Sequence, residues 1–391
     1  MIQSIAIILF FGLIFNKILS SIKVPGILGM IILGVIIGPY GFNILHPSIL
    51  NNSSEIRNMA LIIILLRAGL GLNKSILKKV GITSIKMSFI PCIFEGITVM
   101  MISKTLLKIS YIESGMLGFI LAAVSPAVIV PFMLKLKKNG NGMDKDIPVI
   151  ILSGASIDDI FAITLFGVFI GIFSNTGDSI GKVMLNIPIE IIGGIILGVF
   201  FGFGLNCLLT KFKDRLNSLE KLCLLLSIAF LLKILGDYTK VSGLLAIMTL
   251  GFCLLEKNEE EAIMLENMLK NIWFFAQIFL FVLIGSAVDV NVGLKAGILG
   301  IIIIAIGLVG RSVGVNIALI GSNLNFKERL FCSIAYLPKA TVQAAIGAIP
   351  LSKGVPSGEI ILAIAVLSII ITAPLGAMGI DYTKDRLLNK A

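Results

Sequence analysis

The sequence has few charged side chains and a single histidine. Asp, Glu, Lys and Arg make up 14% of its 391 residues, whereas hydrophobic residues make up 57%. Soluble globular domains carry about 25% charged residues, so this composition excludes an ordinary soluble enzyme or binding module. The histidine, His46, lies beside Pro47 and is expected in a loop, which removes histidine-based catalysis and a histidine pH switch.

Motifs that bind metals, nucleotides or other cofactors are also missing. The five cysteines fall within apolar stretches and show neither Cys-x-x-Cys nor Cys/His ligand spacing, so we expect buried thiols rather than disulfides or a zinc site. No apolar stretch is followed by a glycine-rich nucleotide fingerprint. We therefore expect no cofactor, no nucleotide partner and no enzymatic activity.

Long apolar runs dominate what is present. A run of about 20 apolar residues is long enough to cross a bilayer as a helix, and such runs predict an all-α polytopic membrane protein with about thirteen spans. The second and the ninth are short for a full crossing. The spans are expected at residues 2–20, 24–39, 57–73, 82–107, 113–135, 147–174, 183–210, 218–235, 241–256, 265–288, 293–321, 327–350 and 356–378.

The net charge of +10 would suggest nucleic-acid binding in a soluble protein. Here, however, most Lys and Arg residues lie in the loops that follow odd-numbered spans. The positive-inside rule then predicts a multi-pass protein of the cell membrane, with the N-terminus outside and the C-terminus in the cytoplasm. We expect membrane lipid as a partner, and no nucleic acid.

Five ionisable residues stand near the middle of apolar spans. Asp158 and Asp159 are adjacent within one span, and Glu95, Arg311 and Lys339 each stand alone in another. A carboxylate at that depth costs several kcal/mol unless it is paired or hydrated, so such residues usually mark a functional site. Together they predict a cation site inside a transporter.

The two halves of the chain are predicted to form inverted repeats. If spans one to six match spans eight to thirteen, with span seven as a connector, Glu95 corresponds to Arg311. The motif Ser125-Pro126-Ala127 then corresponds to Leu337-Pro338-Lys339. Proline breaks or kinks a helix, and interrupted spans at matching positions indicate a transporter site near the bilayer midplane. We expect two crossed, broken helices that present free carbonyls and the Ser125 hydroxyl to an ion.

Several motifs resemble the NHA group of sodium/proton antiporters, which belongs to the second cation:proton antiporter family and is related to bacterial NapA. The similarity covers almost the whole membrane region. It rests on the segments Arg67-Ala68-Gly69-Leu70-Gly71-Leu72, Pro91-Cys92 with Glu95, Ala123-Val124-Ser125-Pro126-Ala127-Val128, Ser156-Ile157-Asp158-Asp159, Gly310-Arg311 and Leu337-Pro338-Lys339-Ala340-Thr341-Val342-Gln343-Ala344-Ala345.

The resemblance implies a NapA/NhaA-like fold, a homodimer and elevator-type alternating access, in which an ion-carrying core moves against a scaffold. The implied boundaries are a scaffold or dimer domain at 1–80 and 215–290, an ion-transport core at 81–180 and 291–380, a connecting helix at 181–214 and a cytoplasmic tail at 381–391.

The resemblance also implies roles for single residues. Asp159 matches the main cation and proton carrier and Asp158 its companion. Glu95 with Arg311 matches an intramembrane ion pair, Lys339 adds charge compensation, and Thr341 joins the polar residues of the site. NapA-type members have lysine where this chain has Arg311.

Simple chemistry describes the expected exchange. A hard monovalent cation prefers oxygen ligands, which Asp158, Asp159 and the hydroxyls of Ser125 and Ser156 can supply. Ser156 lies one helical turn before Asp159. Sodium (or lithium) and a proton compete for the same carboxylate, so exchange needs no covalent step. The resemblance implies Na+ (or Li+) and H+ as the transported species, although the residues alone do not separate sodium from lithium or potassium.

Three other functions are alternatives to ion exchange. A sodium-coupled symporter of a small organic solute, on a related fold, is the main alternative. An intramembrane aspartyl protease needs two carboxylates that face each other, whereas adjacent helical residues point about 100 degrees apart. A potassium channel would need a filter or gating domain, and neither is seen in the sequence.

The stoichiometry is open between one proton per sodium, which the summed core charge favours, and two protons per sodium.

Overall fold

The computed structural model describes residues 1–21, 25–71, 74–174, 180–212 and 215–389, with side chains except at 74–81, 127, 131, 156, 160, 180–188, 190–191 and 290–296. Its secondary structure is helical. In chain order the helices are α1 (Ile2–Ser21), α2 (Gly26–Ile37), α3 (Pro47–Asn51), α4 (Ser53–Leu70), α5 (Lys74–Leu107), α6 (Tyr111–Leu121), α7 (Pro126–Asn139), α8 (Ile147–Ser174), α9 (Ile180–Lys211), α10 (Ser218–Thr239), α11 (Gly243–Lys257), α12 (Glu259–Ser286), α13 (Val290–Ala318), α14 (Phe326–Ala335), α15 (Thr341–Ile346), α16 (Ile349–Ser352) and α17 (Gly358–Leu387).

Within the described ranges, seven helices are long and apolar enough to cross a membrane. This agrees with the predicted polytopic membrane protein, because a crossing needs about 20 apolar residues. The seven segments are Ile2–Ser21, Ile82–Leu107, Ile147–Ser174, Ile192–Lys211, Glu259–Ser286, Gly297–Ala318 and Gly358–Leu387.

Two of the predicted spans are broken in the middle. The first divides into α6 and α7, and Pro126 is the first residue of α7. The fixed φ of proline suits a helix start, where no N–H is needed for the helix ladder. The second divides between α14 and α15, and Pro338 lies in the connecting segment. Ser125 N donates a hydrogen bond to Pro338 O at 2.8 Å, so the two breaks lie against each other.

The chain forms two compact units. The first comprises residues 1–54, 75–170 and 278–391, and it contains both broken helices. In this unit α17 packs against α6, α7, α13, α14 and α15. A buried apolar cluster that includes Met87, Ile151 and Tyr336 fills the space between α5, α8 and α14.

The second unit comprises residues 55–74 and 171–277. In this unit α9 packs against α11. Gly194, Gly198 and Gly202 repeat every fourth residue along α9, and a Cβ at Gly198 would lie 2.4 Å from Ala246 O. Small residues at this spacing allow helix backbones to approach closely in a membrane. The glycine stripe therefore packs the helix pair.

Candidate ion site

Arg311 on α13 lies at the centre of a buried charge cluster in the first unit. Its Nη1 is 2.8 Å from Glu95 Oε2 on α5, and its Nη2 is 2.9 Å from Asp158 Oδ2 on α8. Nη1 also donates to the carbonyl of Ala122, at the end of α6. The guanidinium thus joins three elements, which suits its planar array of donors.

Glu95 has a second cationic partner. Lys339 Nζ, from the break between α14 and α15, lies 2.7 Å from Glu95 Oε1. The order Lys339, Glu95, Arg311, Asp158 therefore alternates in sign, and all four side chains are buried. Because an unpaired charge is costly away from water, this alternation allows four charges to remain in the core.

Asp158 is held by more than Arg311. The same Oδ2 accepts a hydrogen bond from Val124 N at 2.7 Å. Val124 lies in the break between α6 and α7, where backbone N–H groups lack a partner within the helix. The break therefore helps to fix the Asp158 carboxylate.

Asp159 has a different environment. Its exposed fraction is 9%, and its buried Oδ1 has no hydrogen-bond partner. No ion pair involves Asp159 among the residues that the structure describes. With Asp158 Oδ1, which is likewise unpartnered, it offers carboxylate oxygens that could hold Na+.

The two breaks contribute further polar groups. Ser125 Oγ and Thr341 Oγ1 are 3.5 Å apart, at the outer limit of a hydrogen bond. The described contacts include no hydrogen bond from either hydroxyl to Asp159. The side chain of Ser156, which the sequence predicts as an ion ligand, lies outside the described residues.

Three residues that support the site were not assigned from the sequence. Gln343 Nε2 donates to the carbonyls of Ile120 and Ala123, both at 2.9 Å, and so ties α15 to the end of α6. Thr372 Oγ1 on α17 accepts from Lys339 N at 3.0 Å.

Tyr336 is the third, since its ring centroid lies 5.2 Å from the Arg311 guanidinium carbon.

Gln343 belongs to the Pro-Lys-Ala-Thr-Val-Gln motif that carries the family resemblance. The motif does not indicate which groups the Gln343 side chain contacts.

Comparison with known proteins supplies the family. A family model described as "Sodium/hydrogen exchanger, transmembrane" matches residues 5–381. "Sodium/hydrogen exchanger 9B2" from Homo sapiens is 34% identical over 414 residues, which cover 98% of this chain and 75% of that protein. "Sodium/hydrogen exchanger 9B1" from Homo sapiens is 30% identical over 406 residues, covering 98% and 78%.

Among solved structures, that of the sodium proton antiporter MjNhaP1 from Methanocaldococcus jannaschii is similar, with a TM-score of 0.81. The match covers 99% of this chain and 98% of that one, at 21% sequence identity, and it supports the fold. The family match extends over almost the whole chain and includes every residue of the charge cluster. The chain therefore belongs to the sodium/hydrogen exchanger family.

Proposed function

We propose that this protein exchanges Na+ (or Li+) for protons across a membrane, with Asp159 as the carrier of both. Family membership supports the exchange. The observation that carries the assignment to Asp159 is that, among the described residues of the charge cluster, this carboxylate has no ionic partner. A group that must bind and release its cargo cannot be permanently paired.

Competition gives the mechanism. Sodium and a proton each neutralise Asp159, and one carboxylate does not readily hold both. An unneutralised carboxylate is expensive to carry through the bilayer core. A core that crosses only when Asp159 is loaded therefore returns with the other ion. The proposed oxygen neighbours of the bound sodium are Asp158, Ser125, Thr341 and Ser156.

The charge arrangement supports one sodium per proton. Glu95, Asp158 and Asp159 give minus three, and Arg311 and Lys339 give plus two, so the empty cluster carries minus one. The four paired charges cancel, and the remainder lies on Asp159. A two-proton cycle would require Asp158 or Lys339 to change protonation, although each is held by an ionic partner.

We further propose the finer architecture that the resemblance implies. About thirteen spans form two inverted repeats whose broken helices cross at the ion site, and the core moves by elevator-type alternating access within a homodimer in the cell membrane. The contact between Ser125 N and Pro338 O supports this arrangement, because it joins the corresponding breaks of the two halves. The domain boundaries stated above and the N-out, C-in orientation belong to the same proposal.

Proteoliposomes test the proposed function. Vesicles with an internal pH dye and a clamped voltage would receive NaCl, LiCl, KCl or choline chloride, with no other organic solute present. We expect Na+ and Li+, but not choline, to drive proton flux. Proton flux that requires an organic solute would instead favour a symporter, an alternative that the comparisons do not support. Absence of cation-driven flux would refute the proposal.

A further inference from the structure

The first halves of the two broken helices begin in the same way. Helix α6 starts with a capping box in which Ser110 Oγ accepts from Glu113 N and Glu113 Oε2 accepts from Ser110 N. Helix α14 starts with a capping box between Asn325 and Glu328. In both, the third helical residue is a glutamate that satisfies a free N–H at the helix start.

Each glutamate also binds a residue just before another helix. Glu113 Oε1 accepts from Ser357 N at 3.1 Å and from Ser357 Oγ at 2.8 Å. Ser357 is the residue before α17. Glu113 therefore holds the start of α17 against the start of α6.

Glu328 does the same with a cation. Lys145 Nζ lies 2.9 Å from both Glu328 Oε1 and Glu328 Oε2. The Glu328 side chain is 1% exposed, and Lys145 lies two residues before the first residue of α8. Glu328 therefore holds the start of α8 against the start of α14.

The held helices are those that complete the ion site. Helix α8 carries Asp158 and Asp159, and α17 carries Thr372, which accepts from Lys339 N. Each glutamate thus connects a broken helix to a helix that supplies the remaining contacts of the site. These two connections, Glu113–Ser357 and Glu328–Lys145, are called the clamps below.

We propose that Glu113 and Glu328 are positioning residues for ion binding: through the clamps they fix α17 and α8 relative to the two helix breaks. The inference rests on the proposed exchange at Asp159. Neither glutamate belongs to the Arg311 cluster, and their effect on the ion is indirect. In the described contacts neither glutamate touches a proposed ion ligand, so we expect a smaller change in Na+ affinity than the about 10- to 100-fold change that follows loss of a group bound directly to a metal ligand.

Of the two clamps, only Glu328–Lys145 is an ion pair. Substitution of Lys145 is therefore the stronger test. Lys145→Met removes the clamp but leaves the capping box of α14 intact, because Asn325 still bonds to Glu328. Ser357→Ala removes one of two contacts, since the Ser357 backbone N–H remains. We expect the larger effect from Lys145→Met and a smaller one from Ser357→Ala.

The experiment measures sodium-driven proton flux against Na+ concentration for the full chain in proteoliposomes. Lys145→Met should raise the KM for Na+ by a few-fold, which is less than the about tenfold effect of losing a group bound to a metal ligand. Lys145→Arg should keep the KM of the unaltered protein. Lys138→Met, an exposed lysine on α7, removes the same charge and should leave KM unchanged. Loss of a positive charge by itself would not raise KM, because it can only leave Na+ binding unchanged or favour it. A raised KM therefore reports positioning.

Hydrogen–deuterium exchange supplies a second measurement that does not need transport. Lys145→Met should increase exchange in the first turns of α8, and Ser357→Ala should do so in the first turns of α17. Normal transport by the unaltered protein with an unchanged KM in Lys145→Met would overturn the clamp and leave the proposed function standing. No exchange by the unaltered protein would overturn both.

Discussion

Asp158 and Asp159 are adjacent on α8 but lie in opposite electrostatic environments. Asp158 is bound to Arg311 and to Val124 N, whereas the buried Oδ1 of Asp159 has no partner. Successive helical residues point about 100 degrees apart, so one carboxylate faces the cation and the other does not. The pair therefore combines a carboxylate held by a cation with one whose buried oxygen has no partner, as the proposed carrier role of Asp159 requires.

Asp159→Asn should abolish exchange without unfolding the protein. The amide has nearly the same shape but cannot bind and release a proton. Asp158→Asn should weaken transport less completely, since it removes a partner of Arg311 rather than the carrier. Na+-driven proton flux in proteoliposomes measures both effects, with detergent thermostability as the control for folding. Wild-type flux in Asp159→Asn would exclude Asp159 as the carrier.

Glu95→Gln should lower the thermostability of the protein in detergent. Glu95 pairs with both Arg311 and Lys339, and removing one side of a buried pair typically costs about 3 to 5 kcal/mol. The double substitution Glu95→Arg with Arg311→Glu, which swaps the two charges, should recover part of the lost thermostability. Recovery should be incomplete, because the new arginine would lie beside Lys339. An unchanged melting temperature in Glu95→Gln would contradict the role of this pair.

A sodium pulse should produce no sustained charge movement. One-for-one exchange moves no net charge, whereas two protons per sodium would move one, at about 2.3 kcal/mol per 100 mV. A solid-supported membrane loaded with the protein measures this directly, with Asp159→Asn as the control for leak. A sodium-triggered current that is seen with the active protein and is absent with Asp159→Asn would decide for the two-proton cycle.

Gln343→Leu should destabilise the protein by about 1 to 3 kcal/mol per carbonyl left buried without a donor. The two carbonyls are those of Ile120 and Ala123. Ser125→Ala is the matched comparison, because its hydroxyl makes a single long contact of 3.5 Å, and it should cost less. Chemical or thermal unfolding in detergent ranks the two variants, and the opposite order would contradict this account of Gln343.

Charged residues inside apolar runs are easily recognised in the sequence, because the cost of burying a charge makes them rare. The sequence places Glu95, Arg311, Asp158 and Lys339 near midspan, and the structure joins these four side chains. The resemblance implies the pair of Glu95 with Arg311, which the structure contains, but it does not imply the contacts of Arg311 with Asp158 and of Lys339 with Glu95. Hydropathy gives a position along the membrane normal, whereas contacts such as Arg311 with Asp158 depend on how helices pack side by side.

Helix starts and breaks show the same division. Pro126 and Pro338 predict interruptions because proline removes a backbone donor, and the structure has breaks there. The Ser110 to Glu113 spacing is a local capping signature, yet nothing local indicates that Glu113 also reaches Ser357. Local roles, such as capping a helix or breaking it, can thus be recognised in the sequence. A second contact with a residue far along the chain cannot.

The hydrogen bond from Ser125 N to Pro338 O restricts which parts of the protein can move separately. If one break shifted without the other, a buried N–H and a buried carbonyl would both lose their partner, at a cost of about 1 to 3 kcal/mol each. The two helix breaks are therefore expected to move as a unit. We expect a rearrangement that opens the proposed ion site to displace both breaks together, because moving one alone would cost about 2 to 6 kcal/mol for the two groups.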